Sequence, residues 1–228
     1  MRRTRSSNGI GLPPDLLSTS LLTWDGIAEV VQALDLSAGA RLVDLACGRG
    51  GYGMEVARRT GARMIGIDFS TEAIRLAGEH ARTRRQDAEF RVGEMTDTGL
   101  RTGSADGVMV VGAIQFAEPP GAAYAEIHRI LRPGGRVVLT SWETDTVDEK
   151  LPSRPREVDL AGGLSAAGFA AIEVAEKPIW YERELAMWNE AAALDPGDDP
   201  ALQALREEAL WVLDRPPGTR RVMGAATR

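Results

Sequence analysis

The sequence predicts an α/β fold built on a doubly wound, seven-stranded sheet. Short apolar runs alternate with amphipathic stretches, which is the pattern of strands joined by crossover helices. A glycine-rich loop follows the first apolar run and opens an amphipathic stretch, as doubly wound folds require. With 228 residues, 43% of them hydrophobic, the chain can bury a full core around one such sheet.

The elements follow one another in a regular order. A first helix is predicted from Trp24 to Leu34, because its apolar residues share one helix face and Thr23 is a suitable N-cap. Ser70 and Thr71 offer caps for a later helix that runs to about Arg84. Seven runs are predicted as strands: 41–45, 63–68, 89–92, 107–111, 136–141, 170–174 and 221–225.

The chain is predicted to form a single domain over residues 13–228, since no internal repeat or long low-complexity tract divides it. Residues 1–12 contain a short basic run and are expected to be a disordered tail. Residues 180–213 have a helical, tryptophan-bearing pattern that is interrupted at Asp195-Pro196-Gly197. We interpret this segment, between the last two strands, as a helical lid insertion.

Composition excludes several classes of function. The net charge of -6 and the pI near 5.1 argue against nucleic acid as a partner, since phosphate binding favours a basic surface. No run approaches the roughly 20 apolar residues of a membrane span, and no signal peptide is recognisable, so a cytoplasmic protein is expected. Cys47 is the single cysteine, which excludes an internal disulfide. No acidic or histidine cluster has ligand spacing, so no metal is expected.

The segment from Val43 to Gly53 carries the strongest functional signal. Glycines let a strand-to-helix turn close tightly and let a ligand approach the backbone. Gly48, Gly50 and Gly53 have the G-x-G-x-x-G spacing of dinucleotide-binding loops. Asp68 ends the next predicted strand, where a carboxylate would accept both hydroxyls of a ribose. The loop and the acid fit either a nicotinamide cofactor or S-adenosylmethionine.

Asp44 favours the second of these ligands. This acid lies about one turn from the glycine loop and would repel a pyrophosphate. S-adenosylmethionine carries no phosphate; its ammonium and sulfonium groups favour nearby oxygen acceptors. We therefore predict S-adenosylmethionine as co-substrate and S-adenosylhomocysteine as product.

A resemblance to a known family lies in the run Asp44-Leu45-Ala46-Cys47-Gly48-Arg49-Gly50. This run resembles motif I of class I S-adenosylmethionine-dependent methyltransferases, whose usual form is Asp-x-Gly-x-Gly-x-Gly. Ala46 stands where the family has its first glycine and keeps a small side chain at that turn. Four further segments resemble family motifs in the expected order: 66–70, 93–95, 104–108 and 130–136. The overall pattern resembles the small-molecule branch that tailors natural products.

The resemblance implies a Rossmann-like methyltransferase fold whose last strand runs antiparallel to the others. It also implies that Asp68 holds the ribose, that Phe69 lies against the adenine, and that Gly93-Glu94-Met95 lines the adenine pocket. The residues that it assigns to the co-substrate are Asp44, Ala46, Gly48, Gly50, Asp68, Phe69, Glu94, Met95 and Gly112.

Residues for the acceptor are expected at the carboxyl ends of the fourth and fifth strands, where doubly wound sheets bind ligands. Gln115 and Glu143 are candidates for a catalytic group at these ends. His80 and His128 fall on predicted helices as surface or packing residues, so no general base is assigned. The residues assigned to the acceptor are Gln115, Phe116, Trp142, Trp180 and Trp188.

The predicted function is methyl transfer to a small molecule, with an oxygen of a secondary metabolite as the expected acceptor. Residues 12–24 and the lid at 180–213 should close over that acceptor. Three alternatives remain: a protein that binds S-adenosylmethionine but catalyses a non-methylating cyclisation, a non-catalytic binding protein, and a nicotinamide oxidoreductase. A monomer or a homodimer is expected, with no nucleic-acid or membrane partner.

Overall fold

The computed structural model of the chain describes residues 13–16, 20–145, 158–214 and 218–228. The expected tail at residues 1–12 lies outside this part. Within it, seven strands are present: β1 (Arg41–Leu45), β2 (Arg63–Asp68), β3 (Ala88–Val92), β4 (Ala105–Val111), β5 (Leu131–Thr144), β6 (Ala170–Glu176) and β7 (Thr219–Thr227).

The strands pair into one mixed sheet in the order β3-β2-β1-β4-β5-β7-β6. Strands β1 to β5 pair in parallel, whereas β7 runs antiparallel to both β5 and β6. The predicted doubly wound α/β fold with an antiparallel last strand is therefore confirmed. The strand order reverses between β1 and β4, and such a switch point is where doubly wound sheets bind ligands at the carboxyl ends of their strands.

Helices cover both faces of this sheet. Thr23 caps the first helix by accepting the Gly26 amide, and Ser70 caps the third by accepting the Ala73 amide, as the sequence predicted. The helices of the described ranges are α1 (Trp24–Leu34), α2 (Gly51–Thr60), α3 (Thr71–Arg84), α4 (Pro120–Ile130), α5 (Leu160–Ala166), α6 (Pro178–Ala192) and α7 (Pro200–Leu213).

The core lies in two layers, because successive side chains of a strand point to opposite faces. On β4, Val108 and Val110 pack with the α4 and α5 layer, whereas Met109 and Val111 pack with α1 and α2. All four are buried. Burial of one such side chain is worth roughly 1.5–3 kcal/mol, so the apolar run that the sequence shows here fixes β4 at the centre of the fold.

Strand β5 is longer than the predicted 136–141. It begins directly after α4, and its residues from Arg136 to Thr144 pair in unbroken antiparallel register with β7. The segment at 180–213 forms α6 and α7, with the break near Pro196 that the sequence indicated. No helix in the described ranges has the length and apolar character needed to span a bilayer.

Candidate functional site

The glycine loop turns through three left-handed residues between β1 and α2. Ala46, Gly48 and Gly50 have φ values of 55°, 53° and 74°. A Cβ on Gly50 would lie 2.5 Å from the Phe90 ring, so glycine is required there for space as well as for conformation. Ala46 adopts the same conformation with a Cβ, at a cost of about 1–2 kcal/mol. This explains why glycine is the usual residue of the family at that position.

Asp68 joins this loop to the end of β2. Its Oδ2 accepts the Gly48 amide at 2.9 Å, and its Oδ1 accepts the Ser70 amide at 2.9 Å. The side chain is buried but borders a cleft. Because a carboxylate oxygen has two lone pairs, each oxygen can still accept a ligand hydroxyl.

The cleft beside Asp68 has a volume of about 470 Å³ and lies at the carboxyl ends of the parallel strands. It brings together five of the residues predicted for the co-substrate and one predicted for the acceptor. Phe69 and Phe116 are 76% and 59% exposed, so both present open aromatic faces. The residues concerned are Ala46, Asp68, Phe69, Glu94, Met95 and Phe116.

Asp44 is buried against the first turn of α2. Its carboxyl group accepts the Gly53 amide, and a Cβ on Gly53 would lie 2.5 Å from its Oδ2. Burial raises the pKa of Asp44 to about 8, and the negative charge of Asp68 adds to this effect, while the Gly53 amide opposes it. The carboxyl group therefore takes the place at the helix N-terminus where a phosphate would otherwise bind.

The stretch at residues 20–23 is fixed over the ends of β4 and α2. Ser20 Oγ donates to the Val111 carbonyl at 3.0 Å, and the Tyr52 hydroxyl donates to the Ser20 carbonyl. Gly112 has a φ of 63° and lies beneath this stretch, where a Cβ would come within 3.1 Å of Ser20 Oγ. Gly112, predicted for the co-substrate, is thus in direct contact with the N-terminal segment and does not line the described cleft.

Gln115 lies at the ends of β4 and β5 with its amide held in place. Its Nε2 donates to the Gly112 carbonyl at 2.9 Å, and its Oε1 accepts Ser141 Oγ at 3.3 Å. Glu143, the other predicted catalytic candidate, is buried and engages both oxygens elsewhere: Oε1 accepts the Leu160 amide at 2.9 Å and Oε2 pairs with Arg220 at 3.2 Å. The structure places Glu143 as an anchor for the start of α5, away from the cleft.

Trp142 and Trp188 meet on one buried carboxylate. Glu184 of α6 accepts the Trp142 Nε1 at 3.1 Å and the Trp188 Nε1 at 3.3 Å. The Arg221 guanidinium lies 4.1 Å from the Trp142 ring centroid and pairs with Glu184 at 3.7 Å. The structure thus brings together two of the predicted acceptor residues through Glu184, a residue that the sequence analysis did not single out.

Trp180 requires a correction. Only 4% of this side chain is exposed, its Nε1 donates to Glu29 at 3.0 Å, and it packs beside Gly26 of α1. It belongs to the core between α1 and α6 and does not reach the cleft. Its helical spacing is the same for a core position and for a ligand contact, so the sequence alone did not separate the two.

A second cavity, of about 530 Å³, lies between α4 and α5. No pattern in the sequence predicted it. Gln115 lines this cavity, as does Tyr124. Small residues on the facing helices, such as Ala125 and Ala166, leave the space open. The signal available in the sequence was the presence of small residues on both of these helices, which are far apart along the chain.

The two histidines lie on helices, as the sequence predicted, and Cys47 lies in the glycine loop after β1. His80 Nδ1 is 3.2 Å from the Arg49 carbonyl oxygen, and the His128 ring packs edge-on against Phe169. Burial lowers the pKa of His128, and Arg228 adds to the effect. Burial raises the pKa of the Cys47 thiol, which keeps it protonated. Neither ring borders the two cavities.

Comparison with known proteins finds similarity to methyltransferases. Residues 43–139 match the family described as Methyltransferase domain. The ubiquinone biosynthesis O-methyltransferase of Xanthomonas oryzae pv. oryzae is 34% identical over 109 residues, which are 47% of this chain and 45% of that protein. The chain spans less than half the length of the curated relatives it matches, from 26% to 45%.

Two solved structures show the fold. Haemonchus contortus phosphoethanolamine N-methyltransferase 2, in complex with S-adenosyl-L-methionine, matches with a TM-score of 0.80 at 19% identity, over 100% of this chain and 58% of that chain. The [4+2]-cyclase SpnF matches with a TM-score of 0.68 at 20% identity, over 89% of this chain and 79% of that chain. Both likenesses agree with the predicted Rossmann-like methyltransferase fold.

Proposed function

We propose that the chain binds S-adenosylmethionine and transfers its methyl group to a small-molecule acceptor, because residues 43–139 match the family described as Methyltransferase domain. The observation that carries this proposal is the cleft at the end of β2, where an acid and two exposed aromatic rings border one space.

The residues of this cleft fit a nucleoside. Asp68 would accept the two ribose hydroxyls on its remaining lone pairs, while Phe69 and Phe116 offer flat surfaces for the adenine. A Cβ built on Gly48 would meet no atom within 4 Å, so open space lies beside the loop backbone. A ligand can therefore approach the loop closely.

The same loop does not fit a pyrophosphate. The Gly48 amide is already bonded to Asp68, and the Asp44 carboxyl group lies against the first turn of α2. In dinucleotide-binding folds, the amides of this loop and the N-terminus of the helix after it hold the phosphates. A buried acid at this end favours a ligand with an ammonium group, such as the methionine part of the co-substrate.

The co-substrate, when bound, supplies a methyl group on a positively charged sulfur. A lone pair of the acceptor forms the new bond to that carbon while the carbon–sulfur bond breaks, its electron pair staying on sulfur, and the acceptor's proton passes to solvent. The chain's own part is to align and desolvate the two partners, which can supply roughly 7–11 kcal/mol. This fits a site to which we assign no histidine base.

For the acceptor we propose an oxygen of a secondary metabolite. Support comes from the curated relative named as an O-methyltransferase. The phosphoethanolamine N-methyltransferase named among the solved structures makes nitrogen the competing atom. Products of the reaction, analysed by mass spectrometry and NMR, distinguish the two.

We also propose that residues 12–24 and residues 180–213 of the α6–α7 hairpin form the lid over the reacting groups; residues 12 and 17–19 lie outside the described part of the chain. Leu21 packs with Trp188 and Ala209 in one hydrophobic cluster, which joins the two segments. Through Trp142 and Glu184 the hairpin also contacts the end of β5. A lid here would exclude water from the reacting sulfonium and so strengthen the electrostatic interactions inside.

A non-methylating cyclisation is the second candidate, favoured by the similarity to the [4+2]-cyclase. In that case the co-substrate would serve as a structural ligand. The substrate would then change its ring count but not its mass.

Calorimetry and product analysis test these proposals together. S-adenosylmethionine and S-adenosylhomocysteine should both bind, and NAD should not. Incubation with phenolic, amine and polyene compounds, followed by mass spectrometry, should show a gain of one methyl group. Tight binding of NAD would overturn the proposal, and isomerisation without methylation would favour the cyclase.

A further inference from the structure

The cavity between α4 and α5 adjoins the co-substrate cleft. The two spaces share the walls formed by Ala117 and Glu118. They are separated by the 3₁₀ turn Ile114–Phe116, with Gln115 lining the cavity and Phe116 lining the cleft. A molecule in this cavity would therefore lie next to the bound co-substrate.

Tyr124 gives the lining of the cavity a hydroxyl group. Only 4% of this residue is exposed, and it lines the cavity. Its hydroxyl forms no hydrogen bond with another residue of the described ranges, yet it is not among their fully enclosed polar atoms. Gly163 leaves room for the ring, since a Cβ there would lie 2.5 Å from its Cζ. A hydroxyl that is accessible from this space can donate a hydrogen bond to a ligand there.

A carboxylate borders the cavity. Asp159 lines it, and no lysine, arginine or histidine is among the described residues that line it. Asp159 caps α5 through the Gly162 amide at 2.8 Å and so has a fixed position. Burial raises the pKa of Tyr124 to about 12, with Asp159 and Glu143 adding to the rise, so the phenol remains a hydrogen-bond donor at neutral pH. An anion would be repelled here, whereas an uncharged or cationic molecule would not.

We propose that this cavity binds the methyl acceptor, and that the acceptor is an uncharged or cationic alcohol or amine without carboxylate, phosphate or sulfate groups. Tyr124 donates to an oxygen of this molecule. Gln115, whose amide is fixed by Gly112 and Ser141, positions it at the ends of β4 and β5. The inference rests on the proposed methyl transfer but names a site and a charge class that the co-substrate cleft does not determine.

Three probes with the same ring test the charge class: benzylamine, benzyl alcohol and benzoate. Their binding to the full chain is measured by ligand-observed NMR, with and without S-adenosylhomocysteine. Benzylamine and benzyl alcohol should bind, and benzoate should bind at least about tenfold more weakly. Equal binding of benzoate would overturn the inference.

Two variants on α5 test whether the probes bind in this cavity. Ala166 lines the cavity and is exposed, whereas Ala161 is exposed on the same helix and does not line it. Ala166→Trp should weaken binding of benzyl alcohol at least about tenfold, and Ala161→Trp should leave it unchanged. Tyr124→Phe removes only the hydroxyl and should weaken binding about three- to tenfold.

The outcomes separate this inference from the proposed function. If S-adenosylhomocysteine fails to bind the unaltered chain, methyl transfer is wrong, whatever the probes do. If it binds normally but Ala166→Trp and Tyr124→Phe leave benzyl alcohol binding unchanged, the cavity is not the acceptor site and methyl transfer still stands.

Discussion

The Gly48 amide donates to Asp68 Oδ2 at 2.9 Å, and this bond joins the glycine loop after β1 to the end of β2. The same carboxylate accepts the Ser70 amide, which begins the turn into α3. Asp68 therefore has two tasks: it fixes the loop, and it presents its remaining lone pairs to the cleft.

Replacing Asp68 by alanine should weaken binding of S-adenosylhomocysteine at least about tenfold, since a hydrogen bond to a charged group is worth roughly 1.5–3 kcal/mol. Titration calorimetry measures the dissociation constant. Asp87→Ala is the matched control, because Asp87 is exposed and lies in the turn before β3. An unchanged dissociation constant in folded Asp68→Ala would leave the residue with a purely structural role.

Ala46→Gly should stabilise the protein. Ala46 has a φ of 55°, and relief of this strain outweighs the extra chain entropy of glycine, for a net gain of roughly 0.5–1 kcal/mol. In the exposed middle of α6, Ala186→Gly should have the opposite effect, a loss of roughly 1 kcal/mol. Thermal unfolding of the three proteins checks both signs. A lower melting temperature for Ala46→Gly would mean that its methyl group contributes contacts that outweigh the strain.

The stability of the chain should depend on pH through Asp44. Burial raises the pKa of this carboxyl group to about 8 from an ordinary value near 3.8, so the folded state holds a proton that the unfolded state releases. The stabilising effect of this proton is complete below pH 3.8 and is lost as the pH rises through 8. Between these values, the wild type should lose at most about 1.4 kcal/mol per pH unit relative to Asp44→Asn.

Urea unfolding of both proteins from pH 5 to 8 measures this difference. The gap in the free energy of unfolding should widen with pH in favour of Asp44→Asn. Binding of S-adenosylhomocysteine to the wild type should release protons, because its ammonium group favours the carboxylate. Parallel stability curves for the two proteins would show that Asp44 is already ionised in the folded state.

The fold and the grouping of residues around the cleft at the end of β2 followed from the sequence because their signals are local. Gly48 and Gly50 mark left-handed turns by their residue type, and Asp68 ends a largely apolar run. Each of these features is encoded within a few neighbouring residues. The order of such segments along the chain then predicted the sheet.

The positions of Glu143 and Trp180 did not follow in the same way, because they depend on contacts between distant segments. Glu143 bonds to an amide 17 residues away and to Arg220, 77 residues away, and nothing in its neighbourhood indicates either partner. The indole of Trp180 meets Glu29 across 151 residues. The cavity beside Tyr124 lies between two helices. The sequence predicts the apolar face of each helix separately but not how the two helices pack against each other.

Glu184→Gln should destabilise the chain by about 3 kcal/mol, because Glu184 and Arg221 are both almost fully buried and loss of one partner of a buried pair leaves the other charge poorly compensated. The environment of Trp142 and Trp188 should change with it, since both indoles donate to this carboxylate. Chemical unfolding followed by tryptophan fluorescence and near-UV circular dichroism measures both effects. The control Glu182→Gln, at an exposed position of the same helix, should alter neither. If Glu184→Gln keeps the stability and spectra of the wild type, the α6–α7 hairpin is held to the sheet by its apolar contacts alone.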